Sequence, residues 1–234
     1  MIFDCYLAMT ASEIESTYAT PEKMAWMACQ FSPYNTGISN TPPSLPPGSI
    51  IILNDFIPIY NHDPQLISKQ IAQLCDTFDA SGVLLDFQRP FSAKYQAVAQ
   101  SILNKLSIPV AVTESYAPNL SCPVFLTVPP LDTTPDQYFS KWKHRDIWLE
   151  IALESVKIDI YADKTQICFI DKPDNIKCYI EDKSCFCHYY AEKKEDHITF
   201  QLTRTADDLS KLIDKSIHYG VRKIIGLYQE FENL

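Results

Sequence analysis

The sequence predicts an α/β protein, an irregular (β/α)8 TIM-like barrel, from three observations. About eight short apolar runs recur along the chain, helix-like stretches separate several of them, and one run turns polar at its C-terminal end. Strand followed by helix is the alternation of α/β folds, and eight parallel strands close a barrel. With 234 residues, 46% of them hydrophobic, we expect one barrel domain over residues 1–234.

The predicted barrel strands are short runs rich in apolar and β-branched residues, bounded by turn-forming residues. In chain order they are Phe3–Ala8, Ala25–Phe31, Ser49–Leu53, Gly82–Phe87, Ile108–Val112, Val124–Val128, Ile147–Leu153 and Lys223–Leu227. The proline-rich stretch Asn40–Gly48 disfavours a helix, so we expect an extended surface loop there.

Four helices are predicted between these strands. They are Asp63–Phe78, Ser92–Leu106, Thr134–Trp142 and Ala206–Tyr219. The first two carry apolar residues near helical spacing, and Pro64 suits a first helical turn. Gly220 stands where a glycine commonly ends a helix, which fixes the predicted end of the last one.

Residues 157–203 break the alternation of strand and helix. Short strand-like runs separated by turns predict hairpins at Ile158–Tyr161, Gln166–Ile170, Lys177–Ile180, Cys185–Tyr190 and Ile198–Leu202. We therefore expect a small β-rich insertion before the last helix and the last strand.

Composition excludes several classes of function. The formal net charge is -9 and the pI is about 5.0, so a nucleic-acid partner is not expected. No apolar run is long enough to cross a bilayer, and the first residues lack the pattern of a secretory signal, so we expect no membrane partner and a cytoplasmic location. With 5 glycines and no phosphate-binding or zinc-protease motif, the sequence predicts no cofactor.

The eight cysteines predict free thiols. The densest group lacks the C-x-x-C spacing of structural zinc sites, and its members are Cys168, Cys178, Cys185, Cys187 and the adjacent His188. We expect these cysteines to be buried or half-buried thiols, and no metal site is predicted.

The sharpest local signal is the stretch Ala80–Pro90. In a strand, alternate side chains face opposite sides, so the apolar Val83 and Leu85 face one layer while Leu84, Asp86 and Gln88 face the other. The second face changes from apolar to polar toward the C-terminal end, as a barrel interior does where it opens into a pocket. Asp86 and Gln88 are therefore predicted pocket residues.

This stretch resembles the fourth strand of glycoside hydrolase family 18, the chitinase-like barrels that include bacterial spore-cortex-type enzymes. The family pattern is D-G-x-D-x-D-x-E, often followed by proline, and the residues in register here are Ser81, Gly82, Leu84, Asp86, Gln88 and Pro90. The C-terminal part resembles the end of the family's barrel at Ile198–Gln201, Ala206–Leu209, Tyr219–Lys223 and Ile224–Tyr228. The resemblance implies a glycan ligand of the N-acetylhexosamine type.

Departures from the family pattern bear on catalysis. In the family the terminal Glu protonates the glycosidic oxygen, the Asp two residues earlier orients the substrate acetamide, and that acetamide is the nucleophile. Here the Glu position holds Gln88, the first two aspartates are Ser81 and Leu84, and the usual tryptophan of the last strand is Tyr228. An amide has no proton of suitable acidity to donate. Only Asp86 is kept of the four acids, so the resemblance implies binding more readily than cleavage.

Other polar residues at predicted strand ends extend the candidate site. They are Asn54, Asp55, Glu114, Tyr116, Glu154 and Glu230. Three hypotheses follow: a catalytically degenerate barrel that binds a glycan or similar polar ligand through Asp86, Gln88 and Tyr228; an active glycosidase whose acid has moved to Glu114, Glu154 or Asp55; or a non-enzymatic scaffold that binds a protein.

The three contact residues also have purely structural interpretations. Asp86 would accept hydrogen bonds from the backbone or Arg89, Gln88 would be a polar rim residue, and Tyr228 would be a half-buried aromatic. The sequence leaves the oligomeric state open.

Overall fold

The structure is a computed structural model that describes residues 4–16, 22–34, 36–170 and 179–228. The chain divides into two compact units. The first comprises Met1–Thr127, His144–Glu150 and Val221–Leu234, and the second comprises Val128–Lys143 and Ile151–Gly220. The second unit is therefore inserted in sequence before the last strand.

The first unit is a closed parallel barrel. Its strands are β1 (Asp4–Met9), β2 (Met24–Phe31), β3 (Ile38–Ser39), β4 (Ile50–Asn54), β5 (Gly82–Asp86), β6 (Val110–Thr113), β7 (Val124–Leu126), β8 (Ile147–Ile151) and, last in the chain, β14 (Val221–Leu227). The order around the sheet is β1-β14-β8-β7-β6-β5-β4-β2, and a parallel β1–β2 pair closes it, while β3 pairs antiparallel with β2. The predicted (β/α)8 TIM-like barrel is confirmed.

Three helices accompany the barrel strands: α1 (Ala11–Ser16), α2 (Pro64–Phe78) and α3 (Ala93–Lys105). The predicted helices over 63–78 and 92–106 are confirmed. Asp63 and Ser92 cap them by accepting hydrogen bonds from backbone amides. The barrel is irregular: the proline-rich loop, rather than a helix, joins β3 to β4, and a single 3-10 turn, Ala117–Asn119, lies between β6 and β7.

The barrel interior is filled by side chains from all eight of these parallel strands. The buried cluster comprises Tyr6, Ala8, Ala25, Ile50, Ile52, Leu84, Ala111, Phe125, Trp148 and Ile225. Trp148 fits because residue 82 is glycine: a Cβ there would lie 2.6 Å from the far ring edge, at Cη2. The Trp148 indole and the Pro109 backbone carbonyl therefore leave no room for a side chain at position 82 of β5.

A buried lysine completes the interior near the amino end of the strands. The Lys223 ammonium donates hydrogen bonds to the Tyr6 hydroxyl (3.1 Å) and the Ser81 hydroxyl (3.3 Å). It also lies 4.9 Å from the ring centroids of both Tyr6 and Trp148. These contacts compensate the charge, since ring faces attract cations. This end of the barrel is therefore packed with side chains.

The second unit contains an antiparallel five-stranded sheet. Its strands are β9 (Ser155–Tyr161), β10 (Thr165–Phe169), β11 (Ile180–Asp182), β12 (Cys187–Lys193) and β13 (His197–Thr203), in the order β10-β9-β13-β12-β11. The unit also holds α4 (Pro135–Phe139) and α5 (Ala206–Ser216), each extended by a 3-10 turn. The predicted β-rich insertion before the last helix and strand is confirmed.

Most predicted boundaries agree with the observed elements within two residues. Gly220 has a φ of 97° at the end of the last 3-10 turn, as a helix-ending glycine does. Phe3, Lys177 and Cys178, which fell in predicted strands or the predicted cysteine group, lie outside the described residues. Over the described part of the chain, no helix combines the length and apolar character that crossing a membrane requires.

Candidate ligand-binding site at the barrel mouth

A cavity of about 800 Å³ opens at the carboxyl ends of the barrel strands. Its floor is the upper layer of the barrel interior, and its wall is made by the residues that follow on the same faces. The lining comprises Ala8, Met27, Ala28, Gln30, Asn40, Ile52, Asn54, Asp55, Phe56, Leu84, Asp86, Gln88, Arg89, Phe125, Glu150, Ile225, Gly226 and Leu227. Small-molecule sites have this size and this mixture of apolar walls with a few polar groups.

The strand β5 delivers two polar residues to this cavity. Leu84 is buried in the barrel interior, and Asp86 and Gln88 follow it on the same side and line the cavity. Val83 and Leu85 are fully buried on the opposite side. The predicted alternation is therefore confirmed.

Asp86 and Gln88 are hydrogen-bonded to each other. The Gln88 side-chain amide donates from Nε2 to Oδ1 of Asp86. Burial raises the pKa of the Asp86 carboxyl above its ordinary value, the amide hydrogen bond partly opposes this, and the nearby Asp55 charge adds to it. The pair thus forms a desolvated carboxylate held by an amide.

Asp55 fixes the loop that carries Gln88. Its buried carboxylate accepts hydrogen bonds from the backbone amides of Gln88 (3.0 Å) and Arg89 (2.9 Å). The Arg89 side chain returns the link by donating from Nε to the Asp55 carbonyl at 3.0 Å and from Nη2 to the Phe56 carbonyl at 3.2 Å. Asp55 lines the cavity, but both of its carboxylate oxygens are used to clasp the loops after β4 and β5.

Asn54 has a similar double use. Its side chain lines the cavity, while Nδ2 donates to the Met27 carbonyl at 2.9 Å and Oδ1 accepts from the Phe56 amide at 3.1 Å. These bonds connect the end of β4 to β2 and to its own loop. Asn54 therefore shapes the rim.

Tyr116 is fully buried and does not line the cavity. Its hydroxyl donates to the Pro90 carbonyl at 3.0 Å, and its ring packs against Phe87 and Phe91. Burial raises its pKa to about 12. The structure places Tyr116 behind the loop that follows β5, where it supports the site from outside.

Glu114 lines a second, smaller cavity of about 420 Å³. That cavity is formed mainly by residues at the ends of β6 and β7, and it shares Gln88 and Phe125 with the larger one. Gln88 therefore borders both spaces, with Asp86 on one side and Glu114 on the other.

The remaining predicted residues lie elsewhere. Glu154 belongs to the second unit, where its carboxylate is 4.0 Å from Nη1 of the buried Arg204. Tyr228 is half-buried and directly follows β14. Neither Tyr228 nor Glu154 lines either of the two cavities. Glu230 lies outside the described residues.

The structure adds Glu150, which sequence reasoning missed. Trp148 fills the barrel interior from β8, and Glu150 is two residues further on the same side and lines the cavity. The alternation that singled out Asp86 applies here too. The predicted strand runs to Leu153, which puts its polar end at Glu154. The observed strand β8 ends at Ile151, so its polar residue is Glu150.

The cysteines of the second unit are placed as thiols in its core or on its surface. Cys185 and Cys187 are buried, Cys168 is exposed, and the Cys187 thiol donates to the Leu131 carbonyl. Burial raises the pKa of the Cys187 thiol to about 12. Among the described residues, no group of three or more His, Cys, Asp and Glu side chains is arranged to hold a metal ion.

The barrel is similar to solved structures of chitinase-like enzymes. A glycoside hydrolase family 18 N-acetylglucosaminidase from Paenibacillus barengoltzii aligns with a TM-score of 0.62 and 8% identity over 96% of this chain and 94% of that one. The family 18 chitinase from Cycas revoluta, in complex with (GlcNAc)3, gives 0.60 and 8% over 97% and 95%. The spore cortex-lytic enzyme SleL of Bacillus cereus gives 0.57 and 9% over 96% and 70%.

Comparison of the sequence finds no match, in contrast to the comparison of structures. No family model matches the chain, and no curated protein matches it. The resemblance is confirmed at the level of the fold alone: this chain has a barrel fold similar to those of the family 18 enzymes named above.

Proposed function

We propose that the chain is a divergent, catalytically degenerate relative of these glycoside hydrolases that binds a glycan of the N-acetylhexosamine type, or a similar polar ligand, at the barrel mouth. The observation that carries this proposal is the pairing of Asp86 with Gln88 in a cavity large enough for a sugar ring. An amide in the place of the expected acid can hydrogen-bond a sugar but cannot protonate a glycosidic oxygen.

A structural neighbour supports binding with such a replacement. A Cycas revoluta chitinase variant that carries a glutamate-to-glutamine and a glycine-to-tryptophan replacement was solved in complex with (GlcNAc)4, at a TM-score of 0.59 and 9% identity over 97% of this chain and 95% of that one. In that protein, loss of a glutamate is compatible with a bound tetrasaccharide. A catalytically degenerate barrel can therefore bind a glycan without hydrolysing it.

Calorimetric titration with (GlcNAc)4 tests this function, alongside a chromogenic N-acetylglucosaminide panel that measures hydrolysis. We expect binding without turnover, and Asp86→Ala should weaken it about tenfold or more because a half-buried hydrogen-bonding carboxylate is lost. Asp76→Asn, on the exposed side of α2, is the matched control and should bind normally. A chain that binds no saccharide would overturn the proposal and favour a protein-binding scaffold.

An active glycosidase with a relocated acid is the second candidate. Glu114 favours it, because it borders the small cavity that shares Gln88 with the larger one. Asp55 is a weaker choice since two backbone amides occupy its oxygens, and Glu154 lies beside Arg204 in the second unit. Hydrolysis that is lost in Glu114→Ala, but not in Glu154→Ala, would support this function over the first.

A cytoplasmic location is part of the proposal. The seven described cysteines are free, and reducing compartments keep thiols in that state.

A further inference from the structure

The five-stranded sheet of the second unit has two edges of different character. The strand β10 (Thr165–Phe169) forms one edge, and β11 (Ile180–Asp182) forms the other. Every residue of β10 is exposed, and none is charged or proline, whereas β11 is shorter and carries two adjacent acids, Glu181 and Asp182. Charges, proline and short length keep edge strands from pairing with another chain. The β10 edge is therefore the one open to pairing.

The backbone groups of β10 that face this edge follow from its pairing with β9. In an antiparallel pair, residues alternate between those that bond the neighbouring strand and those whose N–H and C=O point the other way. Ile170, directly after β10, donates from its amide to the Ser155 carbonyl, so every second residue before it also bonds β9. The residues that point outward are Thr165, Ile167 and Phe169. In the described part of the chain, β9 is the only strand that pairs with β10.

A second copy of β10 fits this edge in antiparallel orientation. With Ile167 opposite the same residue of the second copy, Thr165 lies opposite Phe169. Outward-facing residues then meet only each other, and each such pair exchanges two backbone hydrogen bonds. Gln166 lies opposite Cys168, so no charged side chains of β10 oppose each other. The strand is thus complementary to itself, as a two-fold symmetric interface requires.

The side chains on one face of the sheet favour the same register. Ile167 is 66% exposed and Phe169 is 79% exposed, and their neighbours on β9 are Ile158 and Val156. In the joined sheet, the pair Ile158 and Ile167 continues into the same pair of the second copy. Large exposed apolar side chains would thus gain apolar cross-strand neighbours.

We propose that two copies of the chain associate through antiparallel pairing of their β10 strands, which joins their five-stranded sheets into one. This inference is independent of the proposed glycan binding. One strand edge buries less surface than a standard interface, so the dimer is weak and forms with rising concentration. Each copy carries a net charge of -9, so the copies repel each other, and added salt should strengthen their association.

Sedimentation equilibrium of the whole chain, at about 10–300 µM protein in low and high salt, tests the proposal. We expect a monomer–dimer equilibrium that salt strengthens. Ile167→Pro removes an outward-facing amide from both copies and leaves the bonds to β9 in place, so it should weaken association about tenfold or more. Ile167→Lys should do the same, because two like charges would meet at the two-fold axis. Ile180→Lys, the same change on the β11 edge, is the matched control and should associate normally.

Amide hydrogen exchange on the unaltered chain locates the contact without any variant. The amides of Thr165, Ile167 and Phe169 should exchange more slowly as the protein concentration rises, while the amide of Glu181 on β11 should not change. A chain that stays monomeric at every concentration would overturn the proposal. So would a dimer in which exchange in β10 is unchanged, or one that Ile167→Pro leaves intact. If Ile167→Pro does not fold by circular dichroism, the exchange measurement decides.

Discussion

At the scale of single residues, Gln88 carries the functional argument. It borders both cavities at the mouth, its amide holds Asp86, and the Asp55 carboxylate fixes its backbone. The surrounding geometry is thus built to position a side chain at this point. What the position lacks, compared with the family pattern, is a proton of suitable acidity.

Replacing Gln88 by Glu should therefore create some hydrolysis of a chromogenic N-acetylglucosaminide. A carboxyl beside Asp86 would have a raised pKa through mutual repulsion, which is what a general acid needs, and such an acid is typically worth about 10²–10⁴-fold in rate. Gln30→Glu, which adds the same group elsewhere in the cavity lining, is the control and should stay inert. An inert Gln88→Glu variant with unchanged sugar affinity would count against an ancestral active site.

Asp86 should also reduce stability at neutral pH. Its pKa in the folded chain is raised above the ordinary 3.8, so stability is full below that value and falls as the pH rises through the folded-state pKa. Asp86→Asn removes this loss while keeping an acceptor for Gln88, so it should raise the free energy of unfolding at pH 7. Asp55, Arg89 and Glu150 are the other charged groups of the lining.

Urea unfolding of both chains across pH measures this difference. The advantage of Asp86→Asn should vanish at a pH well below the ordinary value of 3.8, where the carboxyl is protonated in both the folded and the unfolded chain. A variant that is less stable than the unaltered chain at pH 7 would show that the carboxylate stabilises the fold instead.

Predictability differs from residue to residue for a physical reason. Asp86 and Gln88 were predicted because a clear apolar-to-polar alternation marks the end of β5. Glu150 obeys the same alternation, but apolar residues continue past it to Leu153, so the sequence does not show where β8 ends. Tyr116 follows a strand and has a polar tip, yet the burial of its ring depends on Phe87 and Phe91, which local sequence does not reveal.

At the scale of elements, β5 and β8 are coupled through the barrel interior. The indole of Trp148 occupies the space that a Cβ at position 82 would need. The Pro109 carbonyl oxygen would lie 3.1 Å from that Cβ. Gly82→Ala should therefore cost about 1–3 kcal/mol of unfolding free energy by overpacking. Trp148→Phe removes the ring atoms that clash, so the cost of Gly82→Ala should shrink in that background.

A double-mutant cycle by urea unfolding measures this coupling. An equal cost of Gly82→Ala in both backgrounds would show that the indole is not what excludes a side chain at position 82.

Most elements were predictable because hydrophobic period and caps agree, as Asp63 and Ser92 show for α2 and α3. The short α1 was missed because six residues give too little periodicity. A usable signal exists all the same: Thr10 and Glu13 form a capping arrangement in which the Glu13 carboxylate accepts from the Thr10 amide and hydroxyl.

At the scale of the whole molecule, the barrel explains why one end is packed and the other open. Lys223 and the interior cluster fill the amino end, while the residues beyond the strands form the cavity wall. One domain over residues 1–234 stays a prediction. Coincident unfolding by far-ultraviolet circular dichroism and tryptophan fluorescence would support it, and two separate transitions would contradict it.

We propose that the mouth of this barrel holds a glycan of the N-acetylhexosamine type without cleaving it. The most direct test is a crystal structure of the chain grown with (GlcNAc)4. We expect an intact tetramer in the large cavity, with a sugar unit hydrogen-bonded to Asp86 and Gln88. A cavity without saccharide, or a cleaved product within it, would overturn this proposal.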